Sequence, residues 1–372
     1  MDFDYSDEQQ LLRDSVERFV REQYAFDTRR GIVASECGFS ARNWQLFAEL
    51  GWLAVPVAED DGGLGGNLTD LAILFEQFGR GLVVEPYLAT LVLGAGLVSE
   101  LGSLVQRESM LPAIVAGKLQ LAVAFAEPGS RYSLARIATT AERSDEGWTL
   151  DGHKCVVLNA PNADTLLVSA RDAGGAIGIF RVAPASAGLR MHGYATIDGG
   201  RAADIELDAV RLPADALLGT TAIGLAALAR VIERATLCVC AEAVGAMDAL
   251  LWKTVEYTKT RRQFGVAIAS FQALQHRMAE MFIELEQSRS ILMMALMAAE
   301  AGEALTRPVS AAKSRIGRAM RRLGQEAIQL HGGIGVTDEL DVGHYFKRLT
   351  AIETLFGNTD FHLQRFGASH DR

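Results

Sequence analysis

The sequence predicts an α-helical domain, a small β domain and a second α-helical domain, in that order. Three observations predict it. Apolar residues recur with helical period from Ser6 to about Gly117; short β-type runs replace them from about Leu119; helical period returns near Thr221 and continues to the end. The expected bounds are 1–118, 119–216 and 217–372, with a four-helix-type bundle last. A chain of 372 residues is long enough for two or three domains.

In the first domain, Leu12, Val16, Phe19 and Val20 fall on one helical stripe, and Ser6 stands where an N-cap belongs. A second helix carries Trp44, Phe47, Ala48 and Leu50 and breaks at Gly51. The stretch Glu59–Asn67 is a loop by composition. Its glycines invite a phosphate-loop reading, but no Lys-Ser/Thr follows and no βαβ unit surrounds it. In the middle domain, Leu121–Phe125, Trp148–Leu150, Cys155–Leu158, Leu166–Ser169, Ile177–Val182 and Ile205–Val210 read as strands. Turn signals at Asp145-Glu146-Gly147, Asp151-Gly152 and Gly174-Gly175 separate them. Strands this short and this closely spaced predict a compact barrel or sandwich. In the last domain, Phe271, Leu274, Met278, Met281, Phe282 and Leu285 form a near-heptad seam, read as bundle core or subunit interface.

Composition narrows the function. A net charge of −10 and the lack of any long Lys/Arg cluster exclude a polyanionic partner such as nucleic acid. The dense basic spots, Arg261-Arg262 and Arg321-Arg322, lie in helical patterns and read as solvated helix faces, with a small phosphate-bearing ligand still open. Cys37, Cys155, Cys238 and Cys240 have no disulfide or zinc spacing, so reduced thiols and a cytoplasmic location are expected. The acidic start Met1-Asp2-Phe3-Asp4 does not read as a targeting peptide, and no apolar run is long enough for a membrane span.

Three constellations can carry chemistry. Tyr257-x-x-x-Arg261-Arg262-Gln263-Phe264-Gly265, followed by Phe271-Gln272, puts an arginine at a helix end before a glycine turn, where its planar fork can meet a phosphate. Gln329-Leu330-His331-Gly332-Gly333-Ile334-Gly335 pairs glycines after a helix, so a diphosphate can approach bare amides. Ala126-Glu127-Pro128-Gly129 ends the first β run, beside the strand Lys154–Asn159.

Together and in this order these motifs resemble the acyl-CoA dehydrogenase family over nearly the whole chain. Tyr5-Ser6-Asp7-Glu8-Gln9-Gln10 is similar to the family's first helix, and Gly51-Trp52 through Pro56 with Gly62–Gly65 to its glycine loop. The resemblance implies FAD, a tetramer, α,β-desaturation of an acyl-CoA thioester, and electron-transfer flavoprotein as acceptor. It also implies that Arg261, Phe264, Gln272, Gln329, Gly332 and Gly333 hold the adenine and diphosphate half of a neighbour's FAD, with Thr359 a further cofactor contact. No metal is implied.

The sequence departs from the family on the flavin side. Ala126 stands where a hydroxyl residue usually precedes Glu-Pro-Gly, and Val157-Leu158-Asn159 replaces an Ile-Thr-Asn run, although backbone contacts to the ring could survive. The catalytic base is also lost. Gly357, in Phe356-Gly357-Asn358-Thr359, occupies the position of the usual glutamate, and the alternative position on an earlier helix falls on Ala235. Glu233 lies about 200° around that helix; Glu353 reads as a surface carboxylate and Glu242 as an ordinary helix charge. The pattern most resembles the small, accessory subunit of two-subunit enzymes such as pimeloyl-CoA dehydrogenase. An active homotetramer recruiting Glu233, Glu353 or water, and a flavin monooxygenase on the same fold, are the alternatives.

Overall fold

The computed structural model describes residues 5–369, so the acidic start at residues 1–4 lies outside it. Helices α1 (Asp7–Gln23), α2 (Phe26–Ala34), α3 (Ala41–Glu49), α4 (Leu68–Gly81), α5 (Gly96–Leu101) and α6 (Leu104–Val115) precede the strands. A π-helical segment, Leu88–Ala95, runs directly into α5. The strands are β1 (Leu121–Ala124), β2 (Thr140–Ser144), β3 (Gly147–Leu158), β4 (Thr165–Asp172), β5 (Ile177–Val182), β6 (Leu189–Ala195), β7 (Arg201–Leu212) and β8 (Leu217–Leu218). Helices return as α7 (Thr221–Thr260), α8 (Gln272–Glu300), α9 (Thr306–His331), α10 (Asp341–Thr354) and α11 (Thr359–Ala368). A small hairpin, β9 (Arg262–Gln263) and β10 (Val266–Ala267), separates α7 from α8. The chain divides into two units, one of the segments through Gly31, Leu68–Val83 and from Thr236 onward, the other of Ile32–Asn67 and Val84–Ala235.

In the first unit, α1 opens on a capping box. Ser6 Oγ accepts the Gln9 amide and Gln9 Oε1 accepts the Ser6 amide, both at 3.2 Å. Val16 and Phe19 of the predicted stripe are buried, and α1 packs on α4. The α4 and α7 backbones touch through reciprocal glycines: a Cβ at Gly79 would collide with the Glu242 carbonyl, and one at Gly245 with the Glu76 carbonyl. Glu242 is no ordinary helix charge. It is buried and forms a bidentate pair with Arg348 of α10, Nε–Oε1 2.5 Å and Nη2–Oε2 2.6 Å. The predicted α8 seam is only half core. Met281 and Leu285 are buried with Leu292 and Ala295, whereas Phe271, Phe282, Ile283, Met293 and Met294 are exposed.

In the second unit, the loop after Glu59 turns its amides inward. Gly63, Leu64, Gly65 and Gly66 donate to the carbonyls of Ala58, Ala54, Val57 and Val55 at 2.7–2.9 Å, so no amide nest is left for a phosphate. The eight-stranded sheet runs β6-β7-β3-β2-β4-β5-β8, with β1 also on β4. Both β1 and β2 lie parallel to β4, β1 from Leu121↔Thr165 and β2 at Thr140↔Arg171. The chain between them therefore leaves the sheet and re-enters it, and that excursion carries Glu127-Pro128-Gly129. Trp148 and Phe180 pack edge to face at 5.0 Å in a core with Leu150, Ile205 and Val210.

Two strand expectations change. Trp148–Leu150 and Cys155–Leu158 belong to one strand, β3; Asp151-Gly152 is a register slip against β7, not a turn. Gly152 (φ +155°) is needed there because a Cβ would lie 2.6 Å from Thr139 Cα. The strands β2 and β6 were illegible because they are mostly exposed and lack hydrophobic alternation.

Candidate active site

The two strongest sequence motifs meet on one surface of the first unit. Arg261 follows the last residue of α7, its amide donating to the Tyr257 carbonyl at 2.8 Å. Phe264 and Gly265, with φ of +53° and +83°, make the two-residue turn of the β9–β10 hairpin. Arg261-Arg262 is thus a hairpin base, not a helix face. Phe264 is 91% exposed, touching Phe271 edge-on at 6.2 Å; Arg261 and Gln272 are exposed too. At the end of α9, Gln329, Gly332 and Gly333 are exposed, and a Cβ at either glycine would meet nothing within 4 Å. Gly332 has φ +64° and ψ −144°, a conformation that a side chain would oppose. Tyr257 joins the two motifs by stacking on His331, with ring centroids 4.3 Å apart.

The Glu-Pro-Gly turn belongs to the second unit and is held by a buried ion pair. Lys154 Nζ donates to Glu127 Oε1 at 2.6 Å and to Ser169 Oγ at 3.1 Å, and both charges are buried. Glu127 also accepts the Thr139 hydroxyl at 2.6 Å and the amides of Ala138 and Thr139 at 2.5 and 3.1 Å. Burial pushes the Glu127 pKa up, but these hydrogen bonds outweigh it and hold it below the ordinary value; burial pulls Lys154 down to about 8. Glu127 is therefore a structural anchor.

Ala126 and β3 lie side by side, joined by Cys155 N–H donating to the Ala126 carbonyl at 2.9 Å. No hydroxyl stands at Ala126 or Leu158. The backbone has little to offer in exchange: Val156 N–H donates to Asp204 Oδ1 at 2.9 Å and Asn159 N–H to the Arg201 carbonyl at 2.8 Å. With Cys155, three of the amides from 155 to 159 are committed within the unit. Val156 sits at φ +52°, costly for a β-branched residue.

The turn that would carry the base is in the first unit. Phe356 (φ +57°) and Gly357 (φ +117°) connect α10 to α11, and buried groups grip them from behind. Lys313 Nζ, itself buried, donates to the Glu353 and Gly357 carbonyls at 3.0 and 2.6 Å, and His362 Nε2–H donates to the Phe356 carbonyl at 3.1 Å. Glu353 is not a surface carboxylate. It is buried, and its Oε1 accepts the Thr359 amide at 3.0 Å and Arg321 at 2.8 Å. Burial pushes its pKa up, but Thr359 and Arg321 hold it below the ordinary value, which suits a helix cap rather than a proton acceptor. Thr359 is buried at the start of α11 rather than on the exposed surface that bears Arg261. On α7, Ala235 is fully buried and Glu233 is buried as well.

The sequence reading missed His331, Lys313 and His362 as parts of these arrangements. His331 stood inside a quoted motif; Lys313 and His362 carried no signal, since their partners are backbone carbonyls distant in sequence. No group of three or more His, Cys, Asp or Glu among the described residues is placed to hold a metal ion, and no described helix is long and apolar enough to cross a membrane.

Helical, β and helical domains with these motifs define a flavoprotein oxidoreductase class, and comparison specifies it. Family profiles for the N-terminal, middle and C-terminal domains of acyl-CoA dehydrogenase match residues 6–118, 122–210 and 223–369, and the chain belongs to that family. It is 30% identical over 366 residues to acyl-CoA dehydrogenase IpdE2 of Mycolicibacterium smegmatis, covering 98% of this chain and 99% of that one. Among solved structures, a variant of the Tcur3481-Tcur3483 steroid ACAD matches with TM-score 0.88 at 32% identity, over 98% of each chain. The ChsE4-ChsE5 complex from Mycobacterium tuberculosis matches at 0.92 and 26%, over 100% of this chain and 99% of that one. PigA with FAD and proline matches at 0.92 and 26%, with the same coverage.

Proposed function

We propose that this chain is the accessory subunit of a two-subunit acyl-CoA dehydrogenase that desaturates a bulky acyl-CoA thioester with FAD. In this reading it lends a dinucleotide cradle to its partner and leaves proton abstraction to the partner's carboxylate. One asymmetry carries the proposal. The surface bearing Arg261, Phe264, Gln272, Gln329, Gly332 and Gly333 is intact and exposed, while the flavin-side hydroxyls and the base are gone. The residues present fit the adenine and diphosphate half of FAD: a guanidinium on a protruding hairpin and two glycines whose backbone is bare. They fit the ring half less well, because no hydroxyl stands at Ala126 or Leu158 and the amides of Cys155, Val156 and Asn159 are committed within the unit.

FAD, when bound, accepts the hydride from the substrate β-carbon. The protein must remove the α-proton, and a carboxylate within hydrogen-bond reach is the group for that task. Gly357 and Ala235 have no such group, and Glu353 is occupied as a cap. This chain's own residues instead bind and orient: Arg261 against phosphate charge, the Gly332–Gly333 backbone as a close-approach surface, Phe264 as an apolar anchor in a neighbouring subunit. Electron-transfer flavoprotein as acceptor and the cytoplasm as compartment belong to the same reading. Two of the matched structures are named as paired proteins, one of them a steroid enzyme, which supports a two-subunit assembly and a bulky substrate.

The test is flavin stoichiometry. Purified alone, the chain is expected to carry well under one FAD per chain and to have little dehydrogenase activity. Co-expressed with a catalytic partner, it is expected to yield FAD in proportion to the partner, and Glu233→Gln is expected to leave turnover intact. One FAD per chain in an active homotetramer, silenced by Glu233→Gln, would overturn the proposal.

A further inference from the structure

The two halves of the cradle come from α7–β9 and from the end of α9, 74 residues apart at their point of contact. A ring pair joins them. Tyr257 stacks on His331 with centroids 4.3 Å apart and planes 25° from parallel, and its hydroxyl donates to the His331 carbonyl at 3.3 Å. Each partner is tied to its own half. The Tyr257 carbonyl accepts the Arg261 amide at 2.8 Å, at the base of the arginine hairpin. The His331 carbonyl belongs to the peptide group leading into Gly332, the first bare glycine. His331 Nδ1 lies 2.8 Å from the Ala327 carbonyl, which can only accept, so Nδ1 carries the proton and the ring orientation is fixed within α9. One turn before Tyr257 on α7, Lys253 pairs with Asp341 at 2.7 Å, which ties α7 to the start of α10.

We infer that Tyr257 and His331 are a positioning pair that fixes the arginine hairpin against the Gly332–Gly333 backbone, pre-organising the cradle for a diphosphate that spans both. The inference rests on the reading that this cradle holds a dinucleotide. Its physical basis is the mobility that each half would otherwise have. The hairpin ends in an exposed two-residue turn, and the α9 terminus passes into glycines that nothing covers. Two such segments, unconnected, would have to be ordered by the ligand, and the cost would appear as lost affinity. The stack moves that ordering into folding. It needs a flat ring at both positions, whereas the hydroxyl adds only a single long hydrogen bond.

The experiment measures FAD and ADP affinity by calorimetry on the purified assembly, for Tyr257→Leu, Tyr257→Phe, His331→Phe and Arg261→Gln. ADP carries the adenine and diphosphate without the flavin ring. Tyr257→Leu is expected to weaken both ligands about tenfold, while the rings retained in Tyr257→Phe and His331→Phe keep affinity within about threefold of wild type. The concentration of FAD for half-maximal activity should rise in Tyr257→Leu much more than the maximal rate falls. A general loss of stability would not be rescued by ring type, so equal weakening in all three ring variants would overturn the inference. If Arg261→Gln weakens FAD but Tyr257→Leu does not, the inference fails and the cradle stands. If Arg261→Gln has no effect on either ligand, the reading of the cradle itself fails. Should Tyr257→Leu not fold, His331→Leu against His331→Phe makes the same comparison from the other ring.

Discussion

Placing a glutamate at position 357 is expected to damage the protein rather than supply a catalytic base. Gly357 has φ +117°, where a side chain is strained whatever its size. A Cβ there would meet the Phe361 ring and lie 2.6 Å from His362 Nε2. His362 has nowhere to go: it is 1% exposed, Nε2–H donates to the Phe356 carbonyl and Nδ1 lies 3.4 Å from Ser310 Oγ. The backbone conformation costs about 1–3 kcal/mol, overpacking about 1–3 kcal/mol, and the lost hydrogen bond about 0.5–1.5 kcal/mol. Together they give roughly 3–7 kcal/mol, against the ~5–15 kcal/mol that holds a folded protein. Urea unfolding of wild type, Gly357→Ala and Gly357→Glu, with dehydrogenase activity measured on the same preparations, tests this. Alanine shares the strained backbone and the first contact, so it should lose a large part of what glutamate loses. A Gly357→Glu protein within about 1 kcal/mol of wild-type stability and newly active would refute the reasoning, because the turn would then accept the side chain freely.

Three further outcomes are expected. Phe264→Ser should change monomer stability by no more than about 0.5 kcal/mol, since the ring is exposed, yet disrupt assembly in sedimentation velocity. Lys154→Met should cost about 3–5 kcal/mol in denaturant unfolding, because it strands the buried Glu127 carboxylate; adding Glu127→Gln should recover part of that loss. The third concerns pH: burial, with nearby Lys313 adding to it, pushes His362 down to about 3. The unfolded histidine takes up a proton near its ordinary 6.5 and the folded one does not, so stability falls as pH drops from about 6.5 toward 3, by up to about 1.4 kcal/mol per unit. His331 and His344, both lowered chiefly by burial, act in the same direction, so unfolding midpoints between pH 7.5 and 5 should show a slope that His362→Gln reduces without abolishing.

The sequence by itself determined the order of helical and β domains, because the spacing of apolar residues reports which face of a local element is covered. It also determined the residue types on which the proposed function rests: Arg261 and the paired glycines Gly332 and Gly333 on one side, Ala126, Leu158 and Gly357 on the other. Tertiary structure decided what those residues are free to do. Glu353 reads as a surface carboxylate and Glu242 as an ordinary helix charge, yet both are buried, one capping α11 and held by Arg321, the other paired with Arg348, because those arginines come from other helices and leave no local pattern. The Asp151-Gly152 pair reads as a turn, but pairing with β7 stretches it into a strand with a slipped register. The seam on α8 is one apolar stripe in sequence and divides into core and exposed halves only when the neighbouring helices are in place. Hydrophobic period is a property of a dozen consecutive residues, whereas the stacking of Tyr257 on His331 and the grip of Lys313 on Gly357 depend on where α7, α9 and the α10–α11 turn meet, and packing alone decides that.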